Sequence, residues 1–189
     1  MQYRCAKILH EGCDILKNIF LTGEKYAGKS TLILNVLDKL HLSAGGYITE
    51  RIIKNNKRTY MVKSLHDKNK SYLIADVDVT DYSREIFMDS FDIGIVSVLE
   101  NDLKDKGKDV IVLDELGFFE NDSEKFKSKI YELLDSDKII LGTIKDYDCE
   151  FLNNIRKRDD ILLITVTKKN REEILNKLIK IISSLVTNI

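Results

Sequence analysis

The sequence predicts an α/β protein with a mostly parallel sheet, and three observations support this fold class. Residues 19–40 read as an apolar strand, a glycine-bounded loop and an amphipathic helix. Asp109–Leu113 carries four consecutive apolar residues, which is typical of a strand buried on both faces of a parallel sheet. From residue 123 to the C-terminus, helical and strand patterns alternate, and such alternation implies parallel βαβ units.

The loop after the first strand matches G-x-x-x-x-G-K-S, the pattern of a phosphate-binding P-loop. It follows the apolar run Ile19–Thr22 and precedes the predicted helix. The backbone N–H groups of such a loop and the helix N-terminus bind an anion. We expect Lys29 to reach the β- and γ-phosphates and the Ser30 hydroxyl to bind Mg²⁺. The predicted nucleotide-binding residues of this loop are Gly23, Glu24, Lys25, Tyr26, Ala27, Gly28, Lys29, Ser30 and Thr31.

Two carboxylates, Asp114 and Glu115, stand at the C-terminal end of the Asp109–Leu113 strand. Open α/β sheets bind their ligands at this end of their strands. The arrangement has the Walker B form, in which the Asp holds Mg²⁺ and the neighbouring acid can polarise the attacking water. Asp114 is therefore a predicted metal ligand and Glu115 a predicted catalytic residue. The alternative is a strand end with ordinary solvated acids, which the separate P-loop pattern disfavours.

The segment between these two motifs predicts an antiparallel extension of the sheet. Gly45 and Gly46 are expected to end the first helix and to turn the chain. Three short strands joined by polar turns follow, at Tyr47–Ile53, Thr59–Leu65 and Ser71–Ala75. Residues 76–90 have no clear pattern. The other predicted elements are helices at Asp92–Lys106, Ser123–Leu134, Cys149–Lys157 and Arg171–Val186, and strands at Lys138–Thr143 and Ile161–Thr165.

The order of the parallel strands follows from the acid pair. An Asp-Glu pair is typical of the class in which another strand lies between the P-loop strand and the acidic strand. Counting the five parallel strands in chain order, we expect the order 5-1-4-3-2, with the P-loop strand inside the sheet. The antiparallel extension comes from residues 58–75.

The composition fits one globular domain, with 189 residues of which 43% are apolar and 32% charged. We expect an N-terminal extension at residues 1–18 and a single domain at 19–189. The net charge of −1 makes nucleic acid an unexpected partner, and no apolar run approaches the roughly 20 residues of a membrane span. Three cysteines fit a reducing cytoplasm. Cys5, His10 and Cys13 match no standard zinc pattern.

Several motifs together resemble the small nucleoside-triphosphatase family that includes the cancer-related nucleoside-triphosphatase and its thermophile relatives. Besides the P-loop, they are G-G-Y-I-T-E-R at 45–51, V-L-D-E-L-G at 112–117, T-I-K at 143–145 and T-x-x-N-R at 167–171. The resemblance implies a RecA-like three-layer sandwich and Mg²⁺-dependent hydrolysis of the β–γ bond of ATP, GTP and other triphosphates with loose base selectivity. It also implies that Thr143 senses the γ-phosphate and that Asn170 and Arg171 meet the base.

Lys25 and Tyr26 depart from that family, whose members usually carry Pro and Gly at these loop positions. Two other functions therefore remain open. The first is a small nucleotide or metabolite kinase, for which Arg156 and Arg158 could belong to a lid. The second is a nucleotide-gated binding module without significant turnover, with Tyr26 and the strand meander as its partner face. Thr49–Arg51 is either a switch-like element at the γ-phosphate or an exposed strand end.

Overall fold

The computed structural model describes residues 16–187. Its strands and helices agree closely with the predicted elements. The strands are β1 Asn18–Thr22, β2 Ala44–Lys54, β3 Lys57–Ser64, β4 Ser71–Asp78, β5 Arg84–Ile86, β6 Val110–Leu116, β7 Ile139–Ile144 and β8 Ile161–Thr165. The α-helices are α1 Lys29–Lys39, α2 Val96–Lys104, α3 Glu124–Asp135, α4 Glu150–Lys157 and α5 Arg171–Val186.

All eight strands form one sheet in the order β5-β4-β3-β2-β6-β7-β1-β8. The strands β2, β6, β7, β1 and β8 pair in parallel, which is the predicted order 5-1-4-3-2. β1 lies between β7 and β8, and β7 separates it from β6 as expected. β3, β4 and β5 continue the sheet beyond β2 as antiparallel strands.

Helices cover both faces of the sheet, which confirms the three-layer arrangement. Successive strand residues point to opposite faces, so Ile19 and Leu21 belong to one core and Phe20 to the other. The first core receives the apolar residues of α1 and α5. The second core receives those of α2, α3 and α4. The strand ends in the middle of the sheet are therefore held between two packed layers.

The two glycines expected to end the first helix lie instead in β2, so that prediction was wrong. The helix ends at Lys39, with Leu40 as its C-cap. His41 makes the turn with a φ of 52°, and Leu42 N donates to the Leu37 carbonyl oxygen at 3.0 Å. Gly46 has a φ of 83°, and a Cβ on it would lie 2.0 Å from the Val112 carbonyl oxygen. It is therefore required by the close pairing of β2 with β6.

Two further differences concern the predicted elements. The helix predicted at Asp92–Lys106 begins with a π-helical segment, Ser90–Ile95, and continues as α2. Residues 76–90 contain β5, which the sequence pattern did not predict. Most of the predicted N-terminal extension at residues 1–18 lies outside the described residues, and so does the group of Cys5, His10 and Cys13. The last residue of that predicted extension, Asn18, is the first residue of β1. Within residues 16–187, no helix is long and apolar enough to cross a membrane.

Candidate functional site

The candidate site lies where the C-terminal ends of the central strands meet the P-loop. The loop leaves β1 at Gly23, which has a φ of 124°; a Cβ at this residue would lie 2.2 Å from the Val166 carbonyl oxygen. The loop is therefore pressed against the chain that follows β8. At its other end, Gly28 leads into α1. Arg171, the first residue of α5, lies over this end, with its Cδ 3.1 Å from the position of a Cβ on Gly28.

The side chain of Lys29 is folded back into the loop. Its Nζ donates to the carbonyl oxygens of Gly23 and Glu24, each at 2.9 Å. Lys29 is only 9% exposed. The P-loop therefore holds its own cation, bonded to two neutral carbonyl groups that an anionic phosphate could replace.

Asp114 collects the hydroxyl groups of two other predicted site residues. Ser30 Oγ donates to Asp114 Oδ1 at 2.9 Å, and Thr143 Oγ1 donates to the same oxygen at 2.7 Å. Asp114 is 1% exposed. Burial raises the pKa of Asp114, and the hydrogen bonds from Thr143 and Ser30 oppose that rise. The P-loop helix, β6 and β7 thus meet at one buried carboxylate.

Thr49 also contacts Asp114. The sequence left open whether Thr49–Arg51 is a switch-like element at the γ-phosphate or an exposed strand end. The backbone N–H of Thr49 donates to Asp114 Oδ2 at 3.4 Å, and its hydroxyl donates to the Asp114 carbonyl oxygen. The same hydroxyl accepts from the Glu115 backbone N–H at 3.2 Å. Thr49 therefore ties β2 to the end of β6, where the acid pair stands.

The chemistry of this group suits a hard divalent cation. Ser30 and Asp114 present a hydroxyl and a carboxylate oxygen side by side, and oxygen atoms are the ligands that Mg²⁺ prefers. Among residues 16–187, no cluster of three or more His, Cys, Asp or Glu side chains could hold a metal ion. Mg²⁺ commonly takes one or two protein ligands and completes its shell with water and substrate phosphates. The residues present fit that mode of binding.

Glu115 faces a different neighbour from Asp114. The pairing of β6 with β7 shifts register between Leu113 and Leu116, and the peptide bond between Asp114 and Glu115 is cis. The Glu115 carboxylate forms an ion pair with Lys145 Nζ at 3.0 Å, and both side chains are partly exposed. The carboxylates of Asp114 and Glu115 therefore contact different neighbours at the same end of β6.

Another acid, Glu120, lines the same cavity as Glu115, and the sequence did not predict it as a site residue. It is 3% exposed, and one carboxylate oxygen accepts from the backbone N–H of Gly117. Burial raises the pKa of Glu120 to about 7. Both acids and Lys145 line a small cavity of about 10 Å³ beside Tyr47 and Tyr60. The sequence signal that could have indicated the burial of Glu120 is the aromatic pair Phe118-Phe119 directly before it, because apolar neighbours favour burial.

Asn170 and Arg171, the two residues expected to meet the base, make different contacts in the structure. Asn170 Oδ1 accepts from the backbone N–H of Thr167 at 2.7 Å, and its Nδ2 donates to the Thr165 carbonyl oxygen at 3.0 Å. Its amide therefore closes the loop between β8 and α5. Arg171 instead lies against the P-loop at Gly28, as described above.

The two arginines considered for a kinase lid are engaged elsewhere. Arg156 donates to the Tyr147 carbonyl oxygen at 3.1 Å and to Asn153 Oδ1 at 2.9 Å. Arg158 forms ion pairs with Asp135 at 2.6 Å and Asp160 at 2.7 Å. The hydrogen bonds to both carboxylates raise the pKa of Arg158, with Asp160 the larger cause. These contacts brace the segments before and after α4.

Comparison with known proteins agrees with this arrangement. Over 166 residues the chain is 29% identical to nucleoside-triphosphatase THEP1 of Thermotoga sp. strain RQ2, covering 87% of this chain and 94% of that protein. It is 31% identical over 171 residues to nucleoside-triphosphatase THEP1 of Methanocaldococcus jannaschii, covering 85% and 96% of the two chains.

A solved structure and a family model lead to the same assignment. The solution structure of a human cancer-related nucleoside triphosphatase superposes with a TM-score of 0.71 at 26% identity, covering 88% of this chain and 97% of the human one. The family model described as NTPase matches residues 18–179. The chain therefore belongs to the NTPase family of enzymes.

Proposed function

We propose that this enzyme hydrolyses nucleoside triphosphates to the diphosphate and inorganic phosphate in a Mg²⁺-dependent reaction with loose base selectivity. The observation that carries the proposal is the shared carboxylate oxygen of Asp114, which accepts from Ser30 at 2.9 Å and from Thr143 at 2.7 Å beside the P-loop. These contacts join the expected phosphate-binding loop to the expected metal ligand. ATP and GTP are the first substrates to test.

The P-loop and Lys29 supply the binding of the triphosphate. Lys29 exchanges its contacts with the Gly23 and Glu24 carbonyl groups for oxygens of the β- and γ-phosphates. Charge-assisted hydrogen bonds are stronger than bonds to neutral acceptors, so this exchange favours the bound state. Ser30 and Asp114 would hold Mg²⁺, which neutralises charge on the phosphate oxygens when bound. Thr143, bonded to Asp114, stands where it can sense the γ-phosphate.

Glu115 acts on the water in this proposal. It follows Asp114 directly, yet its carboxylate lies towards Lys145, at 3.0 Å. In that position it can hold a water molecule beside the γ-phosphate and accept a proton from it. Glu50, another acid on a strand of the site, pairs instead with Lys63 at 2.6 Å, on the opposite face of β2 from Thr49.

Loose base selectivity is supported by the contacts of Asn170. Its amide oxygen and nitrogen are bonded to Thr167 and Thr165 at 2.7 and 3.0 Å, so base reading would need those bonds to break. The stacking and side-on contacts left to Arg171 tolerate several bases. The sparse cysteines of the sequence support a cytoplasmic location.

Phosphate release from ATP, GTP, CTP and UTP, measured with Mg²⁺ and with excess EDTA, tests the proposal. We expect release from all four triphosphates, abolished by EDTA, with less than about a hundredfold range among the bases. A larger preference for one base would contradict the loose selectivity. Phosphate transfer to an added nucleoside monophosphate or metabolite in place of release would identify a kinase. Tight binding without release would identify a binding module.

A further inference from the structure

A cation on β2 reaches across the mouth of the site to the P-loop. Residues 49 and 51 lie on the same face of β2, because side chains alternate along a strand. Thr49 contacts Asp114, and Arg51 is the next residue on that face. The Arg51 guanidinium donates from Nη2 to the Tyr26 hydroxyl and lies 4.9 Å from the centre of the Tyr26 ring. Arg51 thus stands between the acid pair and the loop that binds phosphate.

The contacts that hold Arg51, to the hydroxyl groups of Tyr26 and Tyr60, are weak compared with a phosphate contact. Within residues 16–187, no carboxylate lies within salt-bridge distance of Arg51. Its partner Tyr26 is 67% exposed and has a φ of 63°, a conformation uncommon for a bulky residue. A guanidinium binds phosphate oxygens through charge-assisted, fork-shaped hydrogen bonds that a neutral phenol cannot match. Arg51 can therefore exchange its hydrogen bond with the Tyr26 hydroxyl for hydrogen bonds with a bound triphosphate.

The other cations near the loop have contacts of their own, and Lys25, in the loop itself, lies with its Nζ 5.6 Å from the centre of the Tyr26 ring. Lys145 pairs with Glu115 at 3.0 Å, and Arg171 lies at the Gly28 end of the loop. Lys29 serves the inside of the loop. Arg51 approaches the P-loop from the side of β2, through its contact with Tyr26.

We propose that Arg51 is a catalytic residue that contacts the γ-phosphate during hydrolysis, and that Tyr26 holds it at the P-loop while the nucleotide is absent. This inference rests on the proposed hydrolysis. In that step the water oxygen forms a bond to the γ-phosphorus while the bond from phosphorus to the β–γ bridging oxygen breaks. The electron pair of the broken bond stays on the diphosphate, and a water proton passes to Glu115 and then to solvent. Arg51 donates hydrogen bonds to the γ-phosphate oxygens and exchanges no atom.

Two variants that break the same contact separate a catalytic role from a structural brace. We expect Arg51→Ala to lower kcat by about a hundredfold or more, the usual cost of losing one donor to a developing charge. Arg51→Lys keeps the charge and should lose less. Tyr26→Phe removes the same hydrogen bond and leaves Arg51 only the ring contact at this residue, so it should raise the affinity for a nonhydrolysable triphosphate by about two- to tenfold. Arg58→Ala removes a cation from the paired strand β3 and should change kcat less than about twofold.

Binding of ADP, with and without Mg²⁺ and aluminium fluoride, gives a readout that does not need turnover. Arg51→Ala should weaken the fluoroaluminate complex by about tenfold or more and leave binding of ADP alone within about twofold. Equal losses of kcat in Arg51→Ala and Tyr26→Phe, or an unchanged fluoroaluminate complex, would overturn the proposal.

The same set of variants separates this inference from the proposed function. If the wild type releases no phosphate from any triphosphate, the proposed hydrolysis fails. The contact of Arg51 with the γ-phosphate is then tested by binding affinities. Arg51→Ala should reduce the preference of the protein for a nonhydrolysable triphosphate over the diphosphate. An unreduced preference would exclude contact with the γ-phosphate.

Discussion

Thr143 donates a hydrogen bond of 2.7 Å to Oδ1 of Asp114, and both side chains are 1% exposed. The two residues stand at the C-terminal ends of the neighbouring strands β7 and β6. A buried carboxylate needs such partners, because burial without them disfavours its charge. The contact therefore fixes the orientation of the carboxylate that also meets Ser30.

Thr143→Val removes this hydrogen bond while it keeps the shape of the side chain. We expect the free energy of unfolding to fall by about 1.5–3 kcal/mol, the usual contribution of one hydrogen bond to a charged group, since Ser30 and Thr49 still donate to Asp114. We also expect the Mg²⁺ concentration for half-maximal phosphate release to rise by about 10- to 100-fold, as for other residues that orient a metal ligand. Denaturant titration and metal-dependent kinetics measure the two effects. Thr165→Val, at the exposed end of β8, is a control that should show neither, and a normal metal requirement in Thr143→Val would contradict this role.

Lys29→Ala tests whether the P-loop binds the phosphates. Truncating a buried, hydrogen-bonded charge typically costs about 2–5 kcal/mol, so the affinity for ATP and GTP should fall by tens- to thousands-fold. Calorimetry with Mg²⁺ measures this change directly. Lys39→Ala is a matched control in the same helix, because its side chain is exposed at the last turn. Unchanged binding in Lys29→Ala would place the phosphate site elsewhere.

Glu115→Gln tests the proposed general base. The amide keeps the shape of the side chain but cannot accept the proton, so turnover should fall by about 10²–10⁴-fold. Triphosphate affinity should hold or rise slightly, because a negative charge near the γ-phosphate is removed. Single-turnover kinetics and equilibrium binding separate these effects. Asp114→Asn should differ by weakening the response to Mg²⁺ as well, and wild-type turnover in Glu115→Gln would mean that another group activates the water.

Glu120 predicts a pH dependence of stability. Its pKa is about 7 in the folded protein against an ordinary value of 4.5, mainly because of burial, with Lys145 opposing and Glu115 adding to the rise. Between these two values the folded state keeps a proton that the unfolded state has lost. The contribution to stability is therefore complete below pH 4.5 and is lost as the pH rises to about 7. Its size is about 3 kcal/mol.

Glu120→Gln removes this titration while it preserves the acceptor for the Gly117 N–H. We expect the variant to gain stability relative to the wild type by up to about 3 kcal/mol between pH 5 and pH 8. Urea unfolding at the two pH values measures the difference. A difference between the two proteins that does not change with pH would show that Glu120 does not titrate in this range.

The sequence by itself determined the parts of this protein whose signals are local. The strand, glycine loop and helix at β1 and α1 carry a periodic apolar pattern and a fixed spacing. The strand β6 likewise carries a local signal, a run of apolar residues followed directly by the acid pair. The acid pair also predicted the order of the parallel strands, because it is typical of the class in which another strand lies between the P-loop strand and the acidic strand.

Only the tertiary structure decided which side chains meet. Thr49 joins Asp114 because β2 pairs with β6, and Gly46 must be glycine because that pairing brings it against Val112. The burial of Glu120 and the reach of Arg51 to Tyr26 depend on elements that are distant in the chain. No local pattern encodes such contacts, since each depends on the packing of whole strands and helices. The sequence therefore predicted the P-loop and the acid pair, and the pairing of β6 with β2 and β7 determined which residues surround them.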